Sequence, residues 1–303
     1  MSDGHAVTYR RATEADFLAT WSVFTEAAAD LARRNAWPAV DRGSTPPERF
    51  LDFRRSAVRH DPDGFWVAEA GGLVIAFGIA VQRGHVWYLA ALHVRPAFQG
   101  RGIGAELVRR TLDAARPDSV LTVGADARNP ISNALYGRFG MFPSMTLLEV
   151  SGPTRPAQEH GRFRLEPEAP PAADLARLDR LLLDAPRPED HAFWATTPAV
   201  HAYTLRSAGG VAGYVYIQAD GALGPIAVAD PARLPAAVDL AIGEAASLGA
   251  TTARVRIPGV ARSTIADLLA RGWRYGDGAT LVLTSGPWGH WEGYVTSGAD
   301  ALL

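Results

Sequence analysis

Cysteine is absent from the 303 residues, and so is lysine, so all 30 basic side chains are arginine. Without cysteine the chain has no disulfide, no thiolate nucleophile and no sulfur ligand for zinc or iron. Without lysine it has neither a Schiff-base amine nor a P-loop, whose lysine reaches the phosphates. The eight histidines, His5, His60, His85, His93, His160, His191, His201 and His290, never stand four apart. The paired-histidine helix of a zinc hydrolase is therefore missing, and no metal site is expected. Nor is there a G-x-S-x-G elbow to anchor a hydrolase triad. A net charge of −2 lacks the positive field that non-specific nucleic-acid binding requires. No apolar run approaches the ~18 residues of a membrane span. Met1 to His5 shows no basic and apolar leader pattern. The expectation is a cytoplasmic protein without a nucleic-acid or membrane partner.

Hydrophobic residues make up 48% of the chain and charged residues 20%, the proportions of a folded protein rather than a disordered one. At roughly 150 residues per domain, this length predicts two domains. Residues 7–10 read as a strand, and Thr13 with Asp16 as the cap of a helix running to Arg34. A second helix over 48–60 ends in Asp61-Pro62-Asp63-Gly64. Strands over 65–70, 73–82 and 86–94 follow, with Gly71-Gly72 and Arg83-Gly84 placed for hairpin turns. Ile103, Leu107, Val108 and Leu112 mark one face of a helix, and strand 120–125, helix 131–139 and strand 146–150 complete the half. The proline-containing stretch from Ser151 to His160 is the expected linker, giving domains over 1–155 and 161–303. The second half repeats the plan, and its Leu281-Val282-Leu283-Thr284-Ser285-Gly286-Pro287 echoes Leu147-Leu148-Glu149-Val150-Ser151-Gly152-Pro153. Two copies of one α/β (α+β) domain, each a mixed, mostly antiparallel sheet flanked by helices, account for this pattern.

Chemistry concentrates where strand 86–94 runs into the next helix. Gly100, Gly102 and Gly104 alternate there, so successive N–H groups converge at a helix N-terminus, a geometry that binds phosphate. The spacing is one residue short of G-x-G-x-x-G, and Pro96 separates strand from glycines, which excludes the dinucleotide fingerprint. Val94, Pro96, Gln99, Gly102 and Gly104 fill the V-x-P, Q-x-x-G-x-G pattern, and so the segment resembles the Gcn5-related N-acetyltransferase family. That family's second motif is matched by Asn129, Tyr136 and Gly140, with Met141 inserted before the aromatic Phe142. The resemblance covers residues 7–150 by element order.

The resemblance implies acyl-CoA N-acyltransferase-type domains and acetyl-CoA as donor substrate. The backbone of Leu92, His93 and Val94 would pair with the pantetheine arm like an extra strand. Gln99, Gly100, Arg101, Gly102, Ile103, Gly104 and Ala105 would form the pyrophosphate loop. Asn129 would touch the cofactor, and Tyr136 would protonate the departing thiolate. Relatives place a catalytic residue at the Tyr88 position. With no cysteine, transfer would be direct attack by the acceptor. Alternation along the strand puts Tyr88, Ala90, Leu92 and Val94 on one face and His93 on the other. Asp126, Glu69 and His93 stay open as general bases. Trp21, Trp37 and Phe50 are candidates for the acceptor pocket, Trp37 foremost because it lies in a loop.

In the second half the loop position reads Leu234-Pro235-Ala236-Ala237-Val238, without glycine, and Leu268 stands where Tyr136 would. This copy is expected to lack the cofactor site and to serve homodimerisation, the acceptor pocket or stability. Trp288, Trp291 and Tyr294 are expected to dock on the chain's own surface. The function implied is acetyl transfer to a small-molecule amine, with a non-catalytic acyl-CoA sensor or regulatory module as the alternative.

Overall fold

Residues 6–38 and 40–297 are described by a computed structural model of the chain. They divide into two units: one contains residues up to Val123 with Arg128–Phe139, the other Gly124–Ala127 with the residues from Gly140 onward.

The first unit begins with β1 (Thr8–Arg11), α1 (Phe17–Arg34) and α2 (Glu48–His60). Thr13 and Asp16 form the expected cap, the Thr13 N–H donating to Asp16 Oδ2 at 2.8 Å. Then come β2 (Phe65–Ala70), β3 (Leu73–Arg83), β4 (Val86–Val94), α3 (Ile103–Leu112), the start of β5 (Val120–Asp126) and α4 (Pro130–Gly137). Gly71 and Gly72, at φ 56° and 78°, make the tight β2–β3 turn that side chains would resist. The sheet order is β1-β2-β3-β4-β5, antiparallel except for the parallel pair β4–β5. Ile103, Leu107, Val108 and Thr111 form the buried stripe of α3, while α2 buries Phe50, Phe53, Arg54 and Ala57.

One irregularity in β4 rearranges the expected faces. Ala80 pairs with Leu89 but the adjacent Ile79 pairs with Ala91, so Ala90 is an extra residue, a β-bulge. The bulge resets the alternation. Tyr88, Ala91 and His93, opposite Val81, Ile79 and Phe77, share one face; Leu89, Leu92 and Val94 share the other. The expected grouping of Tyr88 with Leu92 and Val94 is therefore corrected, and His93 joins Tyr88.

The second unit contains β6 (Phe142–Pro153), β7 (Arg164–Glu166), α5 (Ala172–Leu183), α6 (Pro188–Thr196), β8 (Val200–Ser207), β9 (Gly210–Gln218), β10 (Ala222–Val228) and α7 (Leu234–Ser247). It ends with β11 (Thr252–Pro258), α8 (Arg262–Ala270), β12 (Arg274–Thr284) and β13 (Tyr294–Val295). Its sheet runs β12-β6-β11-β10-β9-β8-β7, with β13 paired to β10. The sequence placed β6 at the close of the first domain. In the structure it lies between β12 and β11, antiparallel to both. Gly152 makes the fit possible: a Cβ there would stand 2.4 Å from the Trp273 indole. In each unit the strand pairing is mixed and mainly antiparallel, with flanking helices, the α/β class the pattern predicts. Among the described residues no helix is long and apolar enough to cross a membrane.

Candidate active site

Parallel pairing between β4 and β5 stops at Leu89↔Val123, while β4 continues to Val94. Past the bulge the two strands fork. Ala90 to Val94 are only partly buried, and among the described residues no strand pairs with them on the β5 side. Apart from the Val94 carbonyl, the outward main-chain donors and acceptors of this stretch are left without a strand partner among the described residues.

The free edge runs straight into the glycine loop. Gln99 Nε2 donates to the Val94 carbonyl at 3.0 Å, and Arg95 Nε to the Val74 carbonyl at 2.9 Å, which fixes the strand exit. Gly100 and Gly102 have φ of 75° and 80°, values that side chains resist. No described atom lies within 4 Å of where a Cβ would project from either glycine. Gly102 caps α3, and its carbonyl accepts the first intrahelical bond, from Glu106 N at 3.0 Å. The N–H groups of Ile103, Gly104 and Ala105 precede that bond and point out of the helix end, where the helix dipole favours an anion. Gly104 packs against Leu135, Val94 and Leu92, at 3.5–3.9 Å from a built Cβ, seating α3 on β4 and α4. Ile103 is buried beneath the loop, and exposed Arg101 lies over the Phe98 ring at 5.2 Å.

Asn129 caps α4, its side chain accepting from Ser132 N at 3.4 Å. One helical turn beyond Ser132, Tyr136 is buried. Burial raises its phenol pKa well above the usual tyrosine value, and Tyr88, also buried, adds to the rise. Tyr136 thus keeps its proton throughout the neutral range.

On the Tyr88 face, the His93 ring meets Phe24 edge-on at 5.1 Å and Phe77 at 5.2 Å. Desolvation, helped by the Arg54 charge, lowers His93 to about 4, so it is neutral at pH 7. Arg54 is held by Thr20 Oγ1 at 3.0 Å and the Phe50 carbonyl at 3.1 Å, with its guanidinium 3.1 Å from the Phe50 ring centroid. Trp21 packs edge-on against Phe50 at 4.7 Å and donates from Nε1 to the Gly43 carbonyl at 3.1 Å. Trp37 carries the Arg128 guanidinium at 3.8 Å. Of the carboxylates weighed as bases, Glu69 is an ion-pair partner of Arg10, and Asp126 ends β5. Sequence reasoning missed Arg54, although its position four residues after Phe50 on an apolar stripe was a readable signal.

The second unit differs at the matching points. Arg233, in ordinary right-handed conformation, precedes α7, Pro235 occupies its first turn, and Leu268 is core. A buried polar cluster lies elsewhere in this unit. Asp179 accepts from Tyr214 Oη at 2.8 Å and lies 2.9 Å from His191 Nε2, while Arg187 donates to Tyr214 and Tyr294 Oη at 2.7 and 2.6 Å. Burial works to raise the Asp179 pKa, but the Arg187 charge and the bonds from His191 and Tyr214 hold it below the usual carboxylate value.

Residues 28–141 match the model of the acetyltransferase (GNAT) family. The chain as a whole has the fold of tandem GNAT proteins. A crystal structure of a Pyrococcus horikoshii protein assigned as an acetyltransferase is similar over 99% of this chain and 97% of its own, at TM-score 0.74 and 18% identity. A GCN5-related N-acetyltransferase from Sphaerobacter thermophilus covers 96% of this chain and 98% of its own, at TM-score 0.62 and 15% identity. A tandem GNAT protein from the clavulanic acid biosynthesis pathway covers 93% and 99%, at TM-score 0.60 and 15% identity. None of the curated proteins matches the sequence.

Proposed function

We propose that the first unit transfers the acetyl group of acetyl-CoA directly to the amine of a small molecule. The observation that carries this reading is the β4 edge freed beyond Leu89 and running into a helix N-terminus capped by left-handed Gly102. An extended pantetheine arm fits the first feature and a pyrophosphate the second. Acetyl-CoA supplies an activated thioester there; the chain's own groups do the rest. The amides of Gly100 to Ala105 neutralise the diphosphate. The acceptor nitrogen attacks the thioester carbonyl, the C–N bond forms and the C–S bond breaks; Tyr136 Oη gives its proton to the sulfur, and the proton that the nitrogen loses passes to solvent, from which the phenolate is reprotonated. Burial raises the Tyr136 pKa, which favours the protonated phenol. The aromatic wall of Trp21, Phe24, Phe50 and Phe77 around His93 suits a compact acceptor better than an extended peptide.

The test is a thermal melt with acetyl-CoA, coenzyme A and a longer acyl-CoA. At ~100 times its Kd a ligand stabilises by about 2.7 kcal/mol, a midpoint rise of several degrees. Gly102→Pro, which cannot adopt positive φ and loses an N–H, is expected to abolish the rise. No shift with any acyl-CoA overturns the reading. Thiol release with a library of small amines then measures turnover, and binding without turnover would mark an acyl-CoA-sensing module instead.

A further inference from the structure

The second unit builds the same fork and fills it. β10 and β11 pair in parallel only at Ala222↔Arg254 and Leu223↔Val255, then part. As in β4, the parting coincides with a register shift: Leu223 pairs with Ile217 of β9, and the next partners are Ile226 and Val215, one extra residue on β10. On the edge that faces β11, Ile226 and Ala227 take Val295 and Tyr294 of β13 as antiparallel partners. Thr296 then spans to the other prong, its N–H and hydroxyl both reaching the Arg256 carbonyl, at 3.0 and 2.9 Å. Where Ala90 to Val94 of the first fork are partly open, Ile226 to Val228 and Tyr294 to Ser297 are all buried.

The insertion is fitted to its place. A Cβ on Gly224 would stand 2.2 Å from the Thr296 carbonyl oxygen, and one on Gly293 would stand 2.7 Å from that of Val228. Two glycines thus make room for the segment. Upstream, Gly289 N–H donates to Asp184 Oδ2 at 2.6 Å, and His290 N–H to the Leu182 carbonyl at 2.6 Å. Trp291 packs edge-on against Trp288 at 4.6 Å, and Tyr294 Oη takes the bond from buried Arg187. The cavity left beside Thr296, between Gly224, Arg254 and Arg256, is about 40 Å³, room for a few waters and not for a pantetheine arm.

We propose that the β10–β11 fork is an acyl-CoA slot closed from within: Tyr294 to Ser297 make the strand-like pairing that a pantetheine arm would otherwise make. This unit therefore takes up no acyl-CoA, and the chain has one donor site. The proposal rests on the reading of the first fork as an acyl-CoA slot.

Hydrogen exchange of the whole chain, with and without 1 mM acetyl-CoA, tests it alongside a calorimetric count of sites. Peptides over 222–228 and 291–297 are expected to exchange at least ~100-fold more slowly than an unstructured chain. Acetyl-CoA is expected to leave them unchanged while protecting 89–105, with one equivalent bound. Thr296→Pro removes the bridging N–H and is expected to speed exchange over 291–297 without altering the single equivalent. Free-chain exchange over 291–297, ligand-induced change over 222–228 or 291–297, or two equivalents bound would each overturn the closure. Slow exchange over 291–297 with no ligand effect anywhere would uphold the closure and overturn the reading of the first site.

Discussion

Tyr136 and His93 are both polar aromatics in the first unit, and burial drives their protons in opposite directions. The phenol holds its proton, and the imidazole refuses one. Tyr136→Phe is expected to lower kcat by about 10²-fold, the range of a single proton donor, while leaving the acetyl-CoA melt shift intact. His93 lies below its unfolded value of ~6.5. Between ~6.5 and about 4 the unfolded chain takes up a proton that the folded chain does not, so stability is full above ~6.5 and declines as pH falls through that window. His93→Gln is expected to flatten that part of a stability–pH curve, measured by urea unfolding. Asp179→Ala strands the buried Arg187 guanidinium, and urea unfolding is expected to show a loss of about 3–5 kcal/mol. Site residues were legible to unequal degrees. Gly102 and Tyr136 stand in motifs whose spacing is chemical. Asp179 was legible only as an acid on the apolar stripe of Leu175, Leu178 and Leu182, and its partner Arg187, on the chain beyond α5, has no sequence signature at all.

Strand and helix positions followed the sequence where periodicity was strong: α2, β2 and β4 begin and end where the pattern predicts. α6 escaped because its apolar residues, Ala192, Phe193 and Trp194, are consecutive rather than spaced along a stripe. β13 is two residues long, below any period, and Trp288, Trp291 and Tyr294 are buried in the second unit. The bulge at Ala90 has no glycine or proline to announce it, yet it decides which side chains of β4 share a face. At this scale β6 makes a close contact with the Trp273 indole. Gly152→Ala is expected to cost about 1–3 kcal/mol through overpacking, read as a fall in the melting midpoint.

At the scale of the whole molecule the pairing of β6 was the least legible feature, because strand partners far apart in sequence leave no local trace. Composition marked residues 151–160 as a linker, but residues 151–153 belong to β6, which two strands of the second unit hold from either side. A fragment of residues 161–303 lacks the strand between β11 and β12 and is expected not to melt cooperatively, whereas residues 140–303 are expected to do so; circular dichroism distinguishes the two. That same strand has a consequence during synthesis. Once β6 has left the ribosome, about a hundred residues must be translated before β11 is complete, which at ~5–20 residues per second is roughly 5–20 seconds. For that interval Leu147 and Val150, apolar side chains destined for full burial, have no sheet to join. The nascent chain thus carries an apolar strand well ahead of the strands that will cover it, and chaperone attachment during translation is expected to include that strand.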